Sequence, residues 1–144
     1  MRFMIIVKSC PAFEAELTPA APEELMAEMA AYHEELMRAG VLLDGSGLHP
    51  SRTGWRVHYG PEGTRMVDGP FAEAKELIAG YTLIQVRNRE EALEWSRRFP
   101  NPAGRDMEAV IELRQLIELD EFPPSQALDK FKQMEAEKKA DSPT

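Results

Sequence analysis

Apolar and polar positions along the chain change period several times, and each change marks an element. From Arg2 to Lys8 the residues Phe3, Ile5 and Val7 point one way and Met4 and Ile6 the other. Both sides of this strand are apolar, so both need cover. From Pro22 to Gly40 the period is helical. Leu25, Met26, Met29, Tyr32, Leu36 and Met37 form a broad apolar stripe. Pro22 stands at the start, where a missing N–H costs nothing, and Gly40 stands where a C-terminal cap belongs. A short apolar run, Val41 to Leu43, leads into Asp44–Pro50, which two glycines and a proline mark as a loop. Trp55, Val57 and Tyr59 then alternate with Arg56 and His58, predicting a half-buried strand. Gly60-Pro61-Glu62-Gly63 is the turn, and Thr64–Val67 the returning strand.

Phe71–Ile78 predicts a short helix or an irregular bridge. Gly80–Val86 is a strand with apolar residues on both sides. Asn88 with Glu91 three residues on forms a capping box for a helix that buries Ala92, Trp95, Ser96 and Phe99. Pro100-Asn101-Pro102-Ala103-Gly104 stops it, and Ala109–Leu119 is the last strand. The order predicts an α+β fold of the ferredoxin-like βαββαβ kind with insertions, both helices on one sheet face. The other face then requires a partner, and a second copy is the simplest one. Residues 1–119 form the domain. Residues 120–144 form a tail, in which Ser125 caps a helix carrying Leu128, Phe131 and Met134; Glu135–Thr144 is expected to fray.

The chain has 144 residues, enough to bury roughly 70% of its unfolded surface. Its net charge of −8 and scattered Lys and Arg argue against direct nucleic-acid binding and against anionic membranes. No run of about 18 apolar residues suggests a membrane span. Met1–Ser9 reads as a strand rather than a signal peptide, because Lys8 interrupts it. Cys10 is the single cysteine; it fits a cytoplasmic location and is expected to be inert.

The residues with chemical promise are few. Asp68, before Gly69-Pro70, either accepts backbone N–H groups to fix the turn or serves as a general base. His49, in the glycine-rich loop, is the second acid/base candidate, since imidazole is the side chain whose ordinary range suits proton transfer at neutral pH. Glu73 and Lys75 are candidates for ligand contact, with Lys75 able to pair with Asp68 or an anion. Arg105, after the Pro–Gly turn, is a third ligand candidate. His33 lies in the helical stripe and reads as a packed, hydrogen-bonded residue; His58 reads as exposed. The three histidines lack metal-ligand spacing, so no metal is expected. No phosphate loop, dinucleotide fingerprint or nucleophile elbow is present, so no cofactor is expected.

Four segments, Met1–Lys8, Ala39–Ser51, Asp68–Val86 and Arg89–Pro102, resemble the YCII-related family. The run Asp68-Gly69-Pro70-Phe71 resembles the signature of its DGPF branch. The resemblance implies a ferredoxin-like subunit that pairs into a dimeric α+β barrel with the sheets face to face. Smaller members of the family are proposed to use a His–Asp pair. Here His33 is out of register for it and the acid's position falls near Arg38, so that dyad is not carried over. Relatives often carry an acid at the position of Ser46. Some occur beside or fused to extracytoplasmic-function sigma factors, which implies a regulatory association. Three functions follow as expectations. The first is a cofactor-free enzyme using acid/base chemistry on a small molecule in a cleft of a homodimer. The second is a ligand-binding module without turnover. The third is a protein-interaction subunit associated with sigma-factor systems.

Overall fold

A computed structural model describes residues 1–16 and 21–142. Among the described residues the main sheet has four strands: β1 (Arg2–Lys8), β2 (Leu42–Gly47), and two numbered below as β5 (Ile78–Gln85) and β6 (Ile111–Gln115). Their order is β2-β5-β1-β6, and all three neighbouring pairs are antiparallel. The connections are α1 (Pro11–Glu14), α2 (Glu23–Arg38), and a hairpin of β3 (Trp55–Gly60) with β4 (Gly63–Asp68); α3 (Arg89–Arg97) follows β5. A tail helix, α4 (Gln126–Asp141), closes the chain. The architecture is mixed α+β with antiparallel sheets.

Side-chain alternation decides which face of the sheet is closed. Phe3 and Ile5 of β1 stand beside Ile84 and Thr82 of β5 and are buried with them. Tyr32 and Leu36 of α2 and Ala92 and Trp95 of α3 complete one cluster over that face. Ile5, Leu36 and Ile84 are fully buried. The Tyr32 hydroxyl donates to the Trp95 carbonyl at 2.7 Å, so a polar atom inside the layer is satisfied. Burial holds that phenol in its neutral form, well above its ordinary pKa.

Residues one step along the same strands face the other way. Met4 pairs with Leu83 and Ile6 with Tyr81. All four are only half-buried, and none belongs to the core cluster. The flanks are polar: Asp44 and Ser46 on β2, Glu112 and Arg114 on β6.

The helix ends follow the expected chemistry. Asn88 caps α3 by accepting from the Glu91 N–H at 2.9 Å, and the Arg87 N–H donates to the Glu91 carboxylate. Ser125 caps α4 through the Leu128 N–H at 3.0 Å. Gly40 takes φ +74° just past α2, a left-handed conformation that suits glycine. Pro22 is the residue before α2 rather than its first helical one.

Several expectations are corrected. Asp44–Gly47 is not a loop: it is most of β2, with a register shift between Leu42 and Asp44 that lets two small glycines lie along β5. The Trp55–Val67 hairpin does not enter the main sheet; among the described residues β3 and β4 pair only with each other. It is therefore not half-buried: Trp55 is 62% and Tyr59 82% exposed. The last strand spans five residues, because alternation continues past the end of its pairing with β1. The tail is helical through Asp141 instead of fraying from Glu135, held by its Ser125 cap and buried Leu128. Pro143 and Thr144, also expected to fray, lie outside the described residues. No described helix is long and apolar enough to cross a membrane.

Candidate functional site

The Asp68–Phe71 run sits where β4 leaves the hairpin, against a single helical turn at Ser51–Thr53. The contact is close. A Cβ on Gly69 would lie 1.8 Å from the Ser51 carbonyl oxygen, so only glycine fits. The Gly69 N–H donates to the Gly54 carbonyl at 2.9 Å, and the Phe71 N–H to the Ser51 hydroxyl at 3.1 Å. Glu14, at the end of α1, accepts from the Ser51 N–H at 2.9 Å and also from its hydroxyl. Arg52 donates back to the Glu14 carbonyl at 2.9 Å. The Arg56 guanidinium lies 3.7 Å over the Phe71 ring. These contacts clasp the base of the hairpin.

His49 and Asp68 stand at either side of this clasp. Their backbones converge through Ser51 and Gly69, but no hydrogen bond joins their side chains among the described residues. Both side chains are exposed. The Asp68 carboxylate accepts no backbone N–H among those residues; the turn is fixed by the Gly69 N–H and Ser51 instead. Glu73 and Lys75 are exposed beside and within the turn Ala74–Glu76, and Lys75 makes no ion pair with Asp68. Arg105 is drawn elsewhere: it meets Glu28 of α2 at 3.0 Å and Glu24 at 3.7 Å. Its charge is committed to α2.

Sequence reasoning missed a second polar group. On the face that the helices leave uncovered, the Tyr81 hydroxyl donates to the Asp44 carboxylate at 3.3 Å. Ser46 lies directly opposite Tyr81, its hydroxyl donating to the Gly47 carbonyl at 3.0 Å. The negative charge of Asp44 raises the Tyr81 pKa, so the phenol stays protonated as a donor at neutral pH. An acid, a phenol and a hydroxyl therefore border an apolar floor of Met4, Ile6 and Leu83. Period-two alternation through Asp44, Ser46 and Tyr81 would have found them, had the glycines not suggested a loop.

His33 is the packed residue expected. Its Nδ1 lies 2.7 Å from the Met29 carbonyl, which can only accept, so that nitrogen carries a proton. Nε2 lies 2.9 Å from the Thr82 hydroxyl, which donates to it when the ring is neutral. Gly45 packs against both groups, where a side-chain Cβ would meet each at 3.6 Å. His58 is exposed, as expected. Among the described residues no cluster of three His, Cys, Asp or Glu side chains is placed to hold a metal ion.

Grooves indent the described surface, two of them relevant here. One, of about 220 Å³, lies along Phe99–Pro102. The larger, of about 460 Å³, lies at the Arg2 end of the sheet, lined by Met1, Leu43 and the acidic residues Glu118, Asp120, Glu121 and Glu135. Arg2 clamps Glu118 there with two nitrogens, which holds that carboxyl below the usual carboxylate range. Neither groove includes His49, Asp68, Asp44 or Tyr81.

The family model described as the YCII-related domain matches residues 1–120. That span contains the sheet, both covering helices, the hairpin and its clasp. An uncharacterised protein of Rhizobium meliloti (strain 1021) is 32% identical over 79 residues, 55% of this chain and 64% of that protein. The similarity thus spans just under two thirds of the relative's own length. With most of its length matched by one family model, this chain belongs to the YCII-related family.

Proposed function

We propose that the protein is a homodimeric YCII-related subunit of the DGPF branch, with a small-molecule site in the cleft where two uncovered sheet faces meet. The strand order β2-β5-β1-β6 with two helices on one face supports a ferredoxin-like subunit. Face-to-face pairing of two such sheets makes a dimeric α+β barrel. Its support is the half-buried apolar floor of Met4, Ile6 and Leu83, which no element of the core cluster covers.

The observation that carries the site is the Tyr81–Asp44 hydrogen bond on that floor. In the closed cleft the protonated Tyr81 donates a hydrogen bond or a proton to a substrate oxygen, and Asp44 accepts one. Removal of water by the facing copy strengthens both interactions. No cofactor is needed for this chemistry. His49 and Asp68 form a second acid/base set at the hairpin base, and Glu73 and Lys75 offer charge beside it. Arg105 joins the site only by giving up Glu28.

The test is a thermal-shift screen of small oxygen-bearing metabolites, followed by product analysis of each hit. The reading predicts a saturable rise in melting temperature, lost in Tyr81→Phe and Asp44→Asn. Loss in His49→Ala with Tyr81→Phe unaffected would move the site to the hairpin base. Saturable binding without product would favour the ligand-binding module, which the stable protonation of Tyr81 suits equally well. No stabilisation by any compound, in a confirmed dimer, would contradict the small-molecule site.

A further inference from the structure

Strand register sorts the uncovered face of the main sheet into rows that cross all its strands. Directly paired residues share a face, so each row can be followed from β2 to β6. One row runs Asp44, Leu83, Met4, Arg114. The next runs Ser46, Tyr81, Ile6, Glu112. The first row is a dipole: an acid at the β2 edge, two apolar side chains in the middle and a cation at the β6 edge. Three strand spacings separate its ends, about 14 Å between backbones.

The two charged ends differ from other charges on the same face. Arg2, one register step beyond Met4, is clamped by Glu118 through two nitrogens. Arg114 meets Glu112 through a single nitrogen at 3.4 Å, and its side chain is 72% exposed. Such a pair is weak in water, and the rest of its planar fork has no acceptor among the described residues. Asp44 has no cation partner among those residues; its contact is the Tyr81 hydroxyl at 3.3 Å. That leaves one carboxylate oxygen for a second donor.

A ligand that complements the row has an anion at one end, an apolar body and a hydroxyl at the other. The anion is directed to Arg114, because Asp44 repels it from the opposite edge. The hydroxyl donates to Asp44 and accepts from Tyr81, which a carbonyl or an amine cannot both do. The body lies on Met4 and Leu83, and a thioether makes favourable contact with an aromatic ring. On turning inward, Arg114 takes up part of the span and leaves room for one ring. We propose that the open face takes a small hydroxyaryl carboxylate, its carboxylate on Arg114 and its hydroxyl between Tyr81 and Asp44. The inference rests on the small-molecule site of this face and names the class of its ligand.

The experiment is titration calorimetry of the full chain with para-hydroxyphenylacetate, para-hydroxyphenylacetamide and phenylacetate. The acid should bind saturably, and each analogue about tenfold more weakly, because each loses one hydrogen bond to a charged group. Arg114→Gln should weaken the acid about tenfold and leave the amide unchanged. Glu112→Gln frees Arg114 and should tighten the acid. Tyr81→Phe should weaken the two hydroxyl-bearing probes and spare phenylacetate. Arg114, Glu112 and Asp44 are exposed and Tyr81 is half-buried, so the variants are expected to fold. Equal binding of acid and amide, or no effect of Arg114→Gln, would overturn the carboxylate end. No binding of the acid at millimolar concentration, with some other compound stabilising the chain in a Tyr81-dependent way, would overturn the ligand class and leave the site standing. No Tyr81-dependent binding by any compound would overturn both.

Discussion

The two faces of the four-stranded sheet are built from the same strands, one residue out of step. On one face Ile5 and Ile84 meet Leu36 and are fully buried. On the other, Met4, Ile6, Tyr81 and Leu83 are comparable in size and only half-buried. The hairpin arm belongs with the second class, since Trp55 and Tyr59 are more exposed than buried. The closed face obtains its stability within one chain. The open face and the β3–β4 hairpin hold apolar surface that the core cluster does not include.

The sharpest way to stress this contrast is to cut the closed face. Leu36→Ala removes a fully buried side chain and should cost about 2–5 kcal/mol, read as a lower denaturant midpoint. Leu83→Ala, on the open face, should cost well under half of that in the isolated chain. Equal losses would mean the two faces are equally packed.

The next largest effect is expected at the arm base. Gly69→Ala forces a Cβ against the Ser51 carbonyl, where backbone must move, and should cost about 1–3 kcal/mol. Protease nicking within Trp55–Asp68 should rise with it, while the covered face keeps its hydrogen-exchange protection. Loss of protection across the whole sheet would show that arm and sheet fold as one unit.

Asn88→Ala tests the closed layer from its edge. It removes the acceptor of the Glu91 N–H and should cost about 1 kcal/mol without changing self-association.

The smallest effect concerns Arg2 and Glu118 at the groove. Arg2 holds the folded Glu118 pKa below its unfolded value of about 4.5. The pair therefore stabilises fully above that value, and the contribution is lost as pH falls through the lower folded pKa. Both side chains are about a third exposed, so the amount is about 1 kcal/mol or less. Glu118→Gln should abolish that acid-range dependence. A variant with unchanged acid titration of stability would show that the pair contributes nothing.

The closed face was legible in the sequence because its signals are local and periodic. The stripe through Tyr32 and Leu36, the Asn88 cap and the alternation of β1 each follow from neighbours a few residues apart. The packed role of His33 followed from its place in that stripe. The clasp was not legible. Glu14 and Ser51 are 37 residues apart, and no pattern joins a short helix end to a serine so far away. Gly45 and Gly47 pointed to a loop because glycine is rare in strands, yet both lie in β2, Gly45 against His33 and Thr82, while Gly80 of β5 is the glycine that lets the Ser46 backbone come close. That misreading hid Asp44 and Tyr81. The exposure of the arm was hidden for a different reason: alternation reports two unlike sides, and says nothing about whether either is covered.

The central claim, that the open face is covered by a second copy, is tested most directly by the solution mass of the wild type and of Leu83→Asp, from light scattering coupled to gel filtration. The account predicts twice the chain mass for the wild type and a single chain mass for the variant, with unchanged far-ultraviolet circular dichroism. A wild-type chain that runs as a monomer at every concentration would contradict it, and would leave α4 as the element that covers the face from within.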